Sequence, residues 1–313
     1  MREQGLFADV EELPNDRARE RFDGLVGLDS IKTQLVMEAR ALLDPSIVEA
    51  WSKKLHNQVI PAVTDVMDRT PLVVLEGDVG TGKTELAETV GDPIGRDLGV
   101  KVMLYPMSLS ARGHGAVGEM TTLLTKAFEQ VRDFAQAGRG RDGNLRHAMI
   151  LLIDEADALA QSRELAQMHH EDRAGVNALI RGIDGVRRDR LPVLTIMCTN
   201  RIDALDPAVR RRAAAVFQFT RPGEAHRREL LTRSFSGVTI SDIEMDEVVL
   251  LTGPVDGRNY GCTFSDLRQR LVPSVVLQAV SAGDAITGRQ LIETASRFQP
   301  TRPFEAEMVE RDG

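Results

Sequence analysis

Gly77, Gly82, Lys83 and Thr84 stand at phosphate-loop spacing inside LVVLEGDVGTGKTELAETVG, Leu72 to Gly91. A polyphosphate needs backbone N–H groups converging on it, and side chains would obstruct them. The loop Gly77, Asp78, Val79, Gly80, Thr81 and Gly82 meets that need, and the start of the following helix adds partial positive charge. Lys83 is expected to reach the β- and γ-phosphates and Thr84 to hold Mg²⁺, which makes ATP and Mg²⁺ the expected cofactors. ILLIDEAD places Asp154 and Glu155 directly after an apolar run. Asp154 can bind Mg²⁺ through water, and Glu155 can polarise the water that attacks the γ-phosphate. Asn200 closes CTN and can orient that water, although asparagine is also a common turn residue. Arg210, Arg211 and Arg212 read either as a solvated or interface face, or as guanidinium supplied to a neighbouring subunit's γ-phosphate, an effect of roughly 10³ to 10⁵ in rate. Arg268, in GCTFSDLRQRL, falls one turn into a helix from which it can touch phosphate; a surface salt bridge is its other reading.

These residues need particular elements to position them. LVVL before the loop, VKVMLYPM, AMILLID, PVLTIMCT and AAVFQF read as five buried strands, with helical stretches between them. That alternation predicts an α/β fold with a five-stranded parallel sheet covered on both faces, and ligands beyond the carboxyl ends of its strands. Asp29 reads as the cap of a helix running to Leu43, a second helical stretch runs from Pro45 to Asp68, and residues 121 to 137 have an amphipathic period. From about Pro222 the helical segments AHRRELLTRSF, SDLRQRLVPSVVLQAV and GRQLIETASRF predict a small α-helical second domain. The expected division is a flexible arm over 1–21, an α/β nucleotide domain over 22–221, a helical lid over 222–299 and a tail over 300–313.

A chain of 313 residues can bury a sizeable core, and 42% hydrophobic with 27% charged residues is ordinary for a globular protein. Its net charge of −8, with one Trp and two Tyr, argues against nucleic acid as a partner. Cys198 and Cys262 lack metal-ligand spacing and are expected to be buried thiols in a reducing compartment. The first residues carry no apolar leader and no stretch reaches membrane-spanning length, so the expected location is cytoplasmic.

Taken as a set, GDVGTGKT, ILLIDEAD, CTN, the three arginines and SDLR resemble the AAA+ ATPases, and FDGLVGL resembles the box that covers the adenine in that family. The resemblance spans roughly residues 22 to 298. It implies an AAA+ domain with a helical lid, a hexameric ring, ATP at subunit interfaces and threading of a polypeptide through a central pore. It assigns Asn200 as sensor 1, Arg211 and Arg212 as paired arginine fingers and Arg268 as the sensor 2 arginine. MSLSARGHGAVGEMTTLLTKAFEQV, LLIDEADALAQSRELAQ and EDRAGVNALIRGID further resemble the pachytene-checkpoint branch, the remodelers of HORMA-domain proteins. Bacterial relatives there accompany cyclic-oligonucleotide anti-phage signalling (CBASS). The implied partner is a HORMA-type protein, which ATP hydrolysis would unfold or release from a signalling complex. A generic protein unfoldase, a clamp-loader or helicase-loader ATPase acting on DNA, and a switch that binds ATP without turnover share the nucleotide motifs. The implied pore loops hold Ala116, Val117, Gly118 and Glu119 in the first, and His169 and His170 in the second. Ala116 stands where such pores carry an aromatic and cannot intercalate between substrate side chains; His114 and Met120 are the neighbours that could take over. The paired histidines have no third ligand at a recognisable spacing, so substrate contact is the reading preferred to zinc.

Overall fold

Five runs of branched and apolar residues form strands: four are rich enough in β-branched and aliphatic side chains to be largely buried on both faces, and the fifth, Ala215–Phe219 at the sheet edge, alternates buried Phe217 and Phe219 with exposed Val216 and Gln218. In the computed structural model, which describes residues 7, 9–108, 119–140, 142–159, 169–201 and 205–303, they are β2 (Leu72–Gly77), β3 (Lys101–Ser108), β4 (His147–Asp154), β5 (Val193–Thr199) and β6 (Ala215–Phe219). A short β1 (Glu11–Leu13) precedes them, and the sheet order is β1-β3-β4-β5-β2-β6. The pairs β3 with β4, β4 with β5 and β5 with β2 are parallel, with Leu104 opposite Ile150 and Leu75 opposite Cys198.

The sheet therefore has six strands where five were expected. β1 runs antiparallel to β3, with Glu12 opposite Met103, and buries Leu13 completely. Residues expected to form a flexible arm are thus tied to the sheet edge. Asn15 then accepts from the Ala18 N–H at 2.8 Å and starts helix α1 (Asp16–Asp23). Arg21 on that helix donates from Nε and Nη2 to the two carboxylate oxygens of Glu85 at 2.7 and 3.0 Å, and from Nη2 to Glu88.

The predicted helix Asp29–Leu43 is α2, but Pro45 to Asp68 is two helices, α3 (Ser46–His56) and α4 (Pro61–Met67). Asn57 in the left-handed region ends the first, and Pro61, which lacks the N–H a continuing helix would use, opens the second. Next come α5 (Lys83–Thr89), α6 (Gly91–Leu98), α7 (Glu119–Ala135), α8 (His169–Arg188) and the single turn α9 (Pro207–Arg210). On one face of the sheet Tyr105, Met107, Leu151 and Ile153 meet Leu124 and Phe128 of α7 and Leu179 and Ile183 of α8. Gly182 allows that approach, since a Cβ there would lie 2.2 Å from the Phe128 ring.

The helical region holds α10 (Glu224–Ser234), α11 (Asp242–Leu251), a π-helical turn over Asp266–Leu271, α12 (Val272–Ala282) and α13 (Gly288–Ser296). Leu230, Leu231, Met245, Val248, Leu267, Leu271 and Leu291 make its core. By density of contacts the chain falls into two compact units. One holds the sheet, with residues up to 24, 29–76 and 84–218; the other holds 25–28, the loop 77–83 and the helical region from 219. Among the described residues, no helix is long and apolar enough to cross a membrane.

Candidate functional site

The loop after β2 belongs to the helical unit. Gly77 has φ +143°, and a Cβ there would lie 2.0 Å from the Phe219 carbonyl oxygen, so only glycine lets the strand turn at this point. Gly80 (φ +71°) sits against Thr263 and Ser265, and the Ser265 N–H donates to its carbonyl at 3.1 Å. Gly82 lies beside Leu25 and Leu28, which come from the FDGLVGL segment. Thr81 is fully buried and donates its hydroxyl to the Asp78 carbonyl at 2.7 Å. The Lys83 ammonium, 5% exposed, donates to the carbonyls of Gly77 and Asp78 at 2.8 Å each. A buried ammonium on two backbone dipoles beside three glycines of positive φ is the donor set a phosphate chain requires, so the residues present fit a nucleoside polyphosphate. Val79 is exposed and Arg268 lies exposed on the π-helical turn, an irregularity that often marks functional sites.

The sheet unit carries Thr84 in the first turn of α5 and the acids that follow β4. Asp154 ends β4, half-buried, and accepts from the Glu155 N–H at 2.9 Å. Glu155 has φ +54°, a conformation that a non-glycine residue adopts at a cost of about 1–3 kcal/mol and that clusters at active sites. Its carboxylate is exposed. Asn200 follows β5, whose end is held from an unexpected direction. Asp157, 8% exposed, accepts from the Thr199 hydroxyl and, at 2.9 Å, from the Asn200 N–H. Reasoning from the sequence took the first two acids of IDEAD and missed the third, because its partners lie over 40 residues away.

The three arginines differ from one another. Arg210, at the end of α9, turns its Nη2 to 3.9 Å from Glu76 Oε1, and the Glu76 side chain is 1% exposed. Arg211 and Arg212 donate to the carbonyls of Pro207 and Ala208, each at 3.1 Å. These two line a cavity of about 640 Å³ together with Arg187, Arg188, Arg190 and Asp184. The Arg212 Nε lies 3.5 Å from Asp184.

Neither cysteine is in a disulfide and both are buried, as expected, and burial pushes the Cys262 thiol up to about 12, with Asp266 adding to the shift. Among the described residues, no cluster of three or more His, Cys, Asp or Glu could hold a metal ion. Ala116, Val117 and Gly118 lie outside the described residues, as do the side chains of Glu119, at the start of α7, and of His169 and His170, at the start of α8.

Residues 73–221 match the model of the ATPase family associated with various cellular activities (AAA). The chain is 47% identical to CD-NTase-associated protein 6 of Escherichia coli strain MS 115-1 over 299 residues, covering 96% of each. A protein of the same name from E. coli strain KTE188 is 38% identical over 96% of this chain and 98% of its own. Among solved structures, a chain of the E. coli MS115-1 HORMA:CdnC:Trip13 complex is 47% identical with a TM-score of 0.86, covering 95% of this chain and 97% of that one. Rhizobiales Trip13 is 41% identical with a TM-score of 0.73, over 95% of this chain and 100% of its own.

Proposed function

The chain belongs to the AAA family of ATPases and hydrolyses ATP, and from that premise we propose that it couples hydrolysis to the remodelling of a HORMA-domain protein within a bacterial anti-phage signalling system. The observation that carries this reading is the 47% identity, over nearly the whole of both chains, to a chain of a complex that contains a HORMA protein. The working form is a homo-hexamer with ATP and Mg²⁺ at the subunit interfaces, an α/β nucleotide domain over 22–221 and a lid over 222–299.

In this reading the amides of Gly77 to Gly82 and the ammonium of Lys83 take the β- and γ-phosphates, and Thr84 and, through water, Asp154 hold Mg²⁺. Glu155 activates the attacking water and Asn200 orients it. Arg211 and Arg212 reach the γ-phosphate of a neighbouring copy, Arg268 touches phosphate from the lid, and Leu25 to Leu28 cover the adenine. Support comes from the buried lysine on two carbonyls, the strained backbone of Glu155 and the anchored amide of Asn200. The loops with Ala116, Val117, Gly118, Glu119, His169 and His170 contact the polypeptide. A net charge of −8 disfavours the alternative of a loader acting on DNA.

Glu155→Gln tests the proposal. It keeps the shape of the side chain and loses the base, so it should bind ATP normally, turn it over slowly and retain a HORMA-domain protein long enough for co-purification. ATP-bound Glu155→Gln protein that holds no more HORMA partner than the nucleotide-free form does would refute the remodelling reading.

A further inference from the structure

Arg221 stands just past β6, outside every motif with phosphate chemistry, yet it reaches three distant points of its own unit. Its Nε donates to Asp78 Oδ2 at 2.7 Å, with Nη2 2.6 Å from the same oxygen. Its Nη1 donates to the carbonyls of Gly261 at 2.7 Å and Thr301 at 2.8 Å, and the guanidinium lies 5.1 Å from the centre of the Tyr260 ring. Thr301, expected in a tail, is itself anchored: its N–H and hydroxyl donate to the carboxylate of buried Asp266 at 3.0 and 2.7 Å. The side chains of Arg221 and Asp78 are only 13% and 19% exposed.

Asp78 is the point at which this arrangement meets the phosphate loop. One carboxylate oxygen takes Arg221 and the other takes the Val79 N–H at 2.8 Å, while the backbone carbonyl of the same residue receives the Lys83 ammonium and the Thr81 hydroxyl. Whatever fixes the Asp78 side chain therefore fixes the carbonyl that aims Lys83. We propose that Arg221 is a positioning residue for the phosphate loop, fastening Asp78 to Gly261 and Thr301 so that Lys83 and the loop amides hold their phosphate-binding geometry. The role suits arginine: its rigid fork of five donors serves three acceptors from three parts of the chain at once, and the single ammonium of a lysine does not.

The inference rests on the nucleotide-binding reading of the loop, and the experiment separates the two. Full-length wild type, Asp78→Asn, Arg221→Gln, the double variant and Lys83→Ala are titrated with Mg·ADP by calorimetry, and their unfolding midpoints are measured without nucleotide. Loss of a charge-assisted hydrogen bond should weaken ADP binding about tenfold in each of Asp78→Asn and Arg221→Gln, with the double variant no weaker than the weaker single one. Wild-type affinity in Asp78→Asn and Arg221→Gln, with only a lowered midpoint, overturns the proposal and leaves a structural clamp. Asp78→Asn retains the bonds to Gly261 and Thr301, so it decides the matter alone if Arg221→Gln does not fold. Lys83→Ala with undiminished affinity would instead remove the loop reading itself.

Discussion

Asp157→Ala is the perturbation for which the structure yields a magnitude. One carboxylate oxygen of Asp157 serves two donors at the end of β5, the Thr199 hydroxyl and the Asn200 N–H. A hydroxyl has one proton, so Thr199 spends it on the carboxylate while its own oxygen receives the Arg201 N–H at 3.2 Å. Removing the carboxylate lets that hydroxyl turn to the Arg201 carbonyl, 3.1 Å away, but strands the Asn200 amide. Hydrogen bonds to a charged group contribute about 1.5–3 kcal/mol each, and one of the two is recovered in weaker form. The expected loss of stability is therefore about 2–3 kcal/mol for Asp157→Ala and roughly half of that for Asp157→Asn, whose single amide oxygen can still accept from both donors without the charge. Because the stranded amide belongs to Asn200, the group proposed to orient the attacking water should shift too, and a displacement of about 1 Å costs on the order of 10² in rate. Denaturant unfolding, steady-state ATP turnover and ADP titration read the three quantities. The order wild type, Asn, Ala should appear in both stability and kcat, with ADP affinity little changed. A fall in kcat matched by an equal fall in ADP affinity, or wild-type turnover in the Ala variant, would defeat this account of how Asn200 is held.

Gly77→Ala should destabilise the chain by about 3 kcal/mol or more, because the new Cβ would lie 2.0 Å from the Phe219 oxygen at φ +143°; an unfolding midpoint equal to wild type would contradict it. Mixing an Arg211→Ala, Arg212→Ala protein with Lys83→Ala protein should restore turnover that neither has alone, since one kind of interface then pairs an intact pocket with intact arginines. No rescue in rings shown to mix would mean that those arginines act within their own copy or only in the structure. Burial opposes ionisation of Asp266, but hydrogen bonds from Thr263 and Thr301 outweigh it and hold its pKa below the ordinary carboxylate value. The stabilisation is thus fully present above the unfolded pKa of about 4 and is lost as pH falls through the lower folded value. The gap in unfolding midpoint between wild type and Asp266→Asn should be constant near neutrality and close in acid; a pH-independent gap would argue against the linkage.

The parts of the fold visible in the sequence are those whose signal is local. β2, β4 and β5 are continuous apolar runs, and the loop after β2 is a spacing of glycines that backbone geometry alone demands. β1 was invisible because two of its three residues are glutamates, and only pairing with β3 makes them a strand. Helix α11 escaped a reading based on apolar period, although Ser241 and Glu244 form a capping box that local spacing alone could have disclosed. Asp157 and Arg221 lay beyond sequence reasoning for a different reason. Their partners sit 40 to 143 positions away in the chain, and tertiary structure alone brings them within hydrogen-bond reach.

The same distinction bears on the three arginines, which their spacing left equivalent and only the family resemblance divided, in favour of Arg211 and Arg212. Arg210 faces a carboxylate buried on β2, within its own sheet unit, and an unpaired charge at Glu76 would be costly, so its attraction is satisfied in place. Arg211 and Arg212 are braced by carbonyls one turn back and open onto a cavity with three further arginines. Arg187 and Arg188 there lie in the last turn of α8, where the helix dipole favours cations. That dipole, Asp68 and Asp184, the last 3.5 Å from Arg212 Nε, offset part of the repulsion among the five guanidinium groups, but the Arg212–Asp184 pair is more than a third exposed and so screened by solvent. An arriving anion removes the rest. The cavity thus suits an anion, and Arg211 and Arg212, rather than Arg210 with its buried carboxylate, are the arginines to which the proposed action across an interface is assigned.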